Sequence, residues 1–298
     1  MRTCFLLTFL LVNLHTMLRS QSTRANEEYA RELETWNKAR VAYLKSDTGW
    51  LNLAGLFWLQ PGHNSIGSTD TSHVLIKGSE IPGHAGTLWL ADGKVTLLDH
   101  GSKMFKANGQ PIQEKVIFPS GEGKPTTVDI GHYRFHIIRR DSKLGVRLRD
   151  LQHPALQSFN GAERYPADTQ YRVMATLIPA GPYKTIPVTN VLGQTTQQPS
   201  PGTLIFTLKG RQYALQTLLE EGKLFIVFGD ETNADETYGA GRFLYADQPD
   251  SSGRVLLDFN KALNPPCAFT PFATCPLPPK GNQMPLAIRA GEKNYGHH

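Results

Sequence analysis

Three cysteines in 298 residues are too few for a disulfide-rich scaffold. Charged residues make up only 19% of the chain, which excludes a disordered polyampholyte. No apolar run approaches the roughly 20 residues of a membrane-spanning helix, so a polytopic membrane protein is excluded as well. Several catalytic signatures are missing too. Around Ser65 the string GHNSIGS has one residue too many for a nucleophile elbow. GEGKPT (121–126) places Pro125 where a phosphate-binding loop needs a hydroxyl. GAGRF (239–243) lacks the third glycine of a dinucleotide site. No H-E-x-x-H and no C-x-x-C occurs, so the sequence calls for no cofactor and no metal.

What is present begins with CFLLTFLLVNL, Cys4 to Leu14, behind a single basic residue, Arg2. Its length and order are those of a secretory signal peptide, with residues 1–22 removed and cleavage falling between positions 20 and 25; an uncleaved anchor is the competing reading. The expectation is a periplasmic or secreted protein with no stable membrane insertion after processing. Removing residues 1–22 also lowers the charge from +5, because Arg2 and Arg19 leave 29 basic against 26 acidic residues. The remaining Lys and Arg are scattered, with Arg139-Arg140 as the one notable doublet. Nucleic acid is therefore not an expected partner.

Residues 27–45 carry a helical stripe: Tyr29, Leu33, Trp36, Arg40 and Tyr43 or Leu44 recur at three and four. Asn26 is placed to cap it. Beyond Asp47 the pattern is strands and turns. LWLADGKVTLL (88–98) reads as a hairpin on Asp92-Gly93, and residues 203–218 turn at Lys209-Gly210. Further strands are expected at 50–59, 128–140, 145–150, 171–178, 223–230, 242–247 and 254–259, with TTQQPSP (195–201) as a long loop. The fold class is mainly β: one antiparallel, barrel-like domain over 27–298 with one N-terminal helix and an irregular Pro-rich tail.

Polar residues at strand ends are the candidates for chemistry. Asp230 and Thr232 end one apolar strand, with Tyr238 and Arg242 flanking a Gly-Ala-Gly turn. Asp258, Asn260 and Asn264 follow another. Asp230 and Asp258 suit general acid or base work, whereas Thr232, Tyr238, Arg242, Asn260 and Asn264 suit substrate binding. The competing reading has the same residues pinning the tail. In VRLRD (146–150), Arg147 and Arg149 share one strand face, where an Arg147–Asp150 cluster would suit an anion if that face is not simply solvated. Aromatic residues Trp50, Phe57 and Trp58 offer a contact surface if they are not core. His132 and His136, four residues apart in one strand pattern, sit about 13 Å from each other, too far to share an ion.

Cys267 and Cys275 lie in PPCAFTPFATCPLPP. In an exported chain such a pair is most simply a disulfide, with paired free thiols or a metal as alternatives.

The strings GWLNLAGLFWLQPGHNSIGS, DETNADETYGAGRFL and LDFNKALNPPCAFTPFATCPLPPKGNQMPLAIRAGEK resemble an uncharacterised bacterial family, domain of unknown function sixteen-eighty-four. The resemblance runs from about Tyr29 to Lys293 and implies one integral domain with no established activity. It implies weight at Asp230, Thr232, Tyr238, Arg242, Asp258, Asn260, Asn264, Cys267 and Cys275. It also adds Asn282 as a substrate-binding candidate and Glu292 as a catalytic one. Two functions remain in view: an enzyme acting on a small polar substrate, and a non-catalytic ligand-binding or envelope-assembly module.

Overall fold

The computed structural model describes residues 3–121 and 123–296, with side chains from residue 24 onward in the first of these ranges. A single helix runs Thr3–Lys45. Asn26 is therefore an interior residue rather than a cap, because the helix-favouring residues before it carry the helix through. The expected export segment shares this helix, and its side chains lie outside those described. The stripe is as the spacing predicts: Tyr29, Leu33 and Leu44 are buried and Trp36 and Arg40 half-buried, whereas Tyr43 is exposed. Among the described residues no helix is long and apolar enough to cross a membrane.

The rest of the chain is mainly β, in open antiparallel sheets. None closes into the barrel-like form expected. The apolar residues gather into two large clusters, one built from residues 66–148 and the other from 171–290.

In the first β unit the strands Leu53–Trp58, Lys143–Asp150, Tyr133–Arg140 and Val128–Ile130 are neighbours in one sheet. Gly62–Gly67, Gly86–Ala91, Lys94–Asp99 and Glu114–Phe118 are neighbours in the other. The two sheets share a core that includes Ile66, Leu88, Leu97, Phe135, Ile137 and Val146. The expected hairpin forms, with Asp92 at φ 52° and Gly93 at φ 70°, the pair of positive angles a tight primed turn needs. The long strand expected at 128–140 is instead broken at Gly131-His132, and its halves pair with each other. His132 thus lies in a turn, not in the strand of His136.

Alternation fixes what the other face of this sheet carries. Phe135 and Ile137 point into the core with Val146 and Leu148, so His136, Arg147 and Arg149 point the opposite way. His136 pairs directly with Arg147, and Arg134 with Arg149. This face is not solvated: Arg147 and Arg149 are only 6% and 7% exposed.

The second unit pairs Arg211–Gln216, Gly202–Leu208, Arg172–Pro179 and Arg254–Asp258 in one sheet. Leu218–Glu220, Lys223–Asp230 and Arg242–Ala246 form another, extended in parallel by Gln283–Met284 from the tail. The stretch read as a loop is a strand, Thr195–Pro199, paired with Thr185–Thr189. Its Thr and Gln side chains have little apolar signal because most face solvent. The Pro-rich tail is irregular as expected, and it wraps back closely. Gly291 (φ 82°) runs so near Ala262 that a Cβ there would lie 2.6 Å from the Ala262 carbonyl oxygen.

Candidate functional site

The three candidate carboxylates fall into two networks. Asp230 stands in one, whereas Asp258 and Glu292 are linked through Arg164, which pairs with Glu292 and donates to the carbonyl of Asn260, itself hydrogen-bonded to Asp258. Asp230 and Arg242 form an ion pair at 2.6 Å with both side chains fully buried. The second Asp230 oxygen accepts the Thr232 amide (2.8 Å), the Thr232 hydroxyl (2.6 Å) and the Ile288 amide (3.2 Å). Arg242 donates onward to the Ala290 and Ile288 carbonyls. Both groups thus anchor the tail to the strand ends, with only the Arg242 Nε left buried and without a partner. Tyr238 stands half-buried at the turn beside them, with burial raising its pKa.

Asp258 accepts both the Tyr29 hydroxyl (2.8 and 2.9 Å) and the Asn260 amide (3.1 Å), with Lys261 3.9 Å away. Burial, followed by this contact with Asp258, pushes the Tyr29 pKa strongly upward. Asn260 also clamps both backbone groups of Asp168, at 3.0 and 2.9 Å. Glu292 is buried, accepting the Asn264 amide at 2.6 Å and pairing with Arg40 at 3.3 Å and Arg164 at 3.7 Å. Asn264 donates to the Lys293 carbonyl, and its Oδ1 has no partner. Asn282 binds the backbone of Gln216 and Val227 (2.7 to 2.9 Å), tying the tail to two sheets. The polar residues of residues 230–292 are thus mostly braces.

Open space lies elsewhere. A cleft of about 740 Å³ opens where the helix, both β units and the tail meet. The helix contributes Trp36, Arg40 and Tyr43; the first unit contributes Trp50, Arg140 and Arg147. The wall of the second unit sets Phe225, Phe243, Tyr245 and Leu256 beside Glu220, Glu221, Lys223 and Asp247, and Asn264, Thr274 and Cys275 line the tail side. Of the sequence candidates the cleft gathers Arg147, Asp258, Asn264 and Cys275. Asp230, Thr232, Tyr238, Arg242, Asn260, Asn282 and Glu292 do not line it.

Arg147 is the unusual member. Its Nε is buried with no hydrogen-bond partner, and no hydrogen bond or ion pair among the described residues uses its guanidinium. Asp150, the partner expected from sequence, instead accepts the Gln152 amide (2.8 Å) and lies 3.4 Å from the His132 ring, because its side chain leaves the strand on the opposite face. Arg149, next on the same face, is satisfied by Asn52 (2.6 Å) and the Gly49 carbonyl. Arg147 has only the Trp50 ring, 5.7 Å from its Cζ. Burial, then Arg140 and Arg149, lowers its pKa to about 10, which still leaves it charged at neutral pH. The same surroundings lower His136 to about 4. Arg140, held by Thr274 at 2.9 Å, adds a second guanidinium. Sequence reasoning passed over Arg140 as part of a doublet; its strand parity with His136 was the available signal.

Cys267 and Cys275 are both free thiols in this structure. The Cys267 amide donates to the Cys275 sulfur at 3.0 Å. Among the described residues no group of three His, Cys, Asp or Glu side chains is placed to hold a metal ion.

The molecule is thus a helix-braced pair of antiparallel β units with a cleft between them. Residues 157–293 match the family described as "Protein of unknown function (DUF1684)", and this part of the chain belongs to that family. Trp50, Arg140 and Arg147 lie outside the matched segment. An uncharacterised protein of Haloarcula marismortui, solved by NMR, is 31% identical over 48% of this chain and 80% of its own, with a TM-score of 0.40. A structure from a study of phosphothreonine-dependent FHA domain interactions aligns over 32% of this chain and 92% of that one. Its identity is 15% and its TM-score 0.23, a likeness that carries no argument. No curated protein matches the chain.

Proposed function

We propose that the cleft binds a small anionic ligand, a carboxylate or phosphate with a flat or apolar body. Arg147 carries this reading. A buried guanidinium without a partner is costly, and such groups call for an explanation. A planar fork of donors matches two oxygens of a carboxylate or phosphate. Arg140 supplies a second positive charge, and Trp50 and Phe243 supply apolar surface in a cleft of ligand-binding size. The ligand-binding module is thereby favoured over an enzyme built on Asp230, Asp258 and Glu292, since each of these carboxylates is engaged with internal partners. The apolar run Cys4 to Leu14 supports export of this binding protein to the periplasm or medium.

Thermal-shift and calorimetric titration with sulfate, inorganic phosphate and small mono- and dicarboxylates tests the reading. Ligand at a hundred times its Kd stabilises by about 2.7 kcal/mol. Binding that weakens at least tenfold in Arg147→Gln is expected. A flat response to the whole panel, or equal affinity in the variant, sinks it.

A further inference from the structure

The short loop that closes one wall of the cleft carries a feature the binding reading does not use. Cys267 sits on the turn Pro266–Ala268 and is partly exposed, whereas Cys275 is buried and lines the cleft. The chain between them folds back so that the Cys267 amide reaches the Cys275 sulfur at 3.0 Å. Two thiols are thus held side by side with no metal-ligating group of three formed around them among the described residues. Cys275 belongs to the small apolar cluster of Phe225, Val227 and Phe243, and Cys267 packs against its edge.

We propose that Cys267 and Cys275 form a dithiol site for thiol–disulfide exchange, with Cys267 as the attacking sulfur, Cys275 as the resolving sulfur, and a small organic disulfide as co-reactant. The Cys267 thiolate attacks one sulfur of the disulfide R–S–S–R, forming a Cys267–S–S–R bond and expelling one RS⁻. Cys275 then attacks the Cys267 sulfur and expels the second RS⁻. The protons leaving the two protein thiols pass to the two released thiolates. The protein dithiol is oxidised to a disulfide and R–S–S–R is reduced to two thiols.

Exposure assigns the order, because the entering disulfide meets Cys267 before the buried Cys275. Electrostatics agrees. A hydrogen bond from Cys275 and the nearby Arg147 charge lower the Cys267 pKa, while the shared proton and burial raise that of Cys275. In an oxidising compartment the couple would rest as the disulfide, and in a reducing one as the dithiol. The proposal concerns the thiols alone and stands apart from the anion reading.

The test treats the full chain, carrying Cys4→Ser so that only this pair reacts, with oxidised glutathione and follows intact mass. The expected product has lost two hydrogens and holds no glutathione. Cys275→Ser, lacking the resolving sulfur, should accumulate one glutathione on residue 267, and Cys267→Ser should react at least tenfold more slowly. Circular dichroism of each variant establishes that it is folded. Should a variant fail to fold, peptide mapping of the oxidised parent for a Cys267–Cys275 cross-link decides the matter. A parent that keeps both thiols free under excess oxidant overturns the proposal. So does a folded Cys267→Ser chain that takes up glutathione as fast as Cys275→Ser. Either result leaves the anion titrations unaffected.

Discussion

The guanidinium of Arg147 stands 5.7 Å from the centre of the Trp50 ring, and its buried Nε meets no acceptor. A cation over an aromatic face gains about 0.5–2 kcal/mol, less than desolvation of the charge costs. The residue is thus expected to lower stability in the empty protein. Replacing it with Met, which fills similar volume without charge, should leave stability unchanged or raise it by about 1–4 kcal/mol. The same variant should lose anion binding. Urea denaturation and titration of one preparation check both halves; a destabilised Arg147→Met would show that the charge is compensated in the folded state.

Asp230 and Arg242 illustrate the opposite case. Their pair is fully buried, and the remaining Asp230 oxygen accepts three further hydrogen bonds. Asp230→Asn should therefore destabilise by about 3–5 kcal/mol, since it leaves the Arg242 charge buried and unpaired. Anion affinity of the folded fraction should stay within twofold, because neither residue lines the cleft. Loss of affinity without loss of stability would reverse the assignment and return Asp230 to a ligand-binding role.

The contact of Tyr29 with Asp258 joins the helix to the second β unit. A hydrogen bond to a charged acceptor contributes about 1.5–3 kcal/mol, so Tyr29→Phe should lower stability by that amount. The loss should be local first. Amide exchange over residues 27–40 should accelerate before that of the Lys223–Asp230 strand, as a helix loosened at one anchor opens ahead of the sheets. Uniform acceleration across the chain would mean that the helix and sheets unfold as one unit.

Much of this architecture was legible in the sequence because local chemistry decided it. The stripe Tyr29, Leu33, Trp36, Arg40 marked the docked helix face, and Asp92-Gly93 and Lys209-Gly210 marked their turns. Thr195–Pro199 escaped notice because a mostly exposed strand has no apolar alternation to betray it. Asp230 and Asp258 drew attention by their place at strand ends and Glu292 through the family resemblance, but a carboxylate that braces a tail and one that faces a ligand look alike in one dimension. Arg147 and Arg149 present the same difficulty in reverse. Their shared face was readable, but only tertiary placement gives Arg149 the partners Asn52 and Gly49 and leaves Arg147 none.

His136, paired across the strands with Arg147, reports on the charge of the cleft. Burial, then Arg147 and Arg149, lowers its pKa from 6.5 to about 4. Between those values the unfolded chain binds a proton that the folded chain does not. Stability from this group is therefore full above pH 6.5 and is lost as pH falls toward 4, by about 3 kcal/mol. His136→Gln should flatten the difference in that window, measured as Tm against pH alongside the parent. An anion seated on Arg147 cancels part of the field that disfavours the imidazolium. Sulfate, which keeps its charge throughout this range, should therefore raise the His136 midpoint, read from its ring proton shift by NMR. A midpoint unmoved by saturating sulfate would place the anion away from Arg147 and remove the basis for the binding site proposed here.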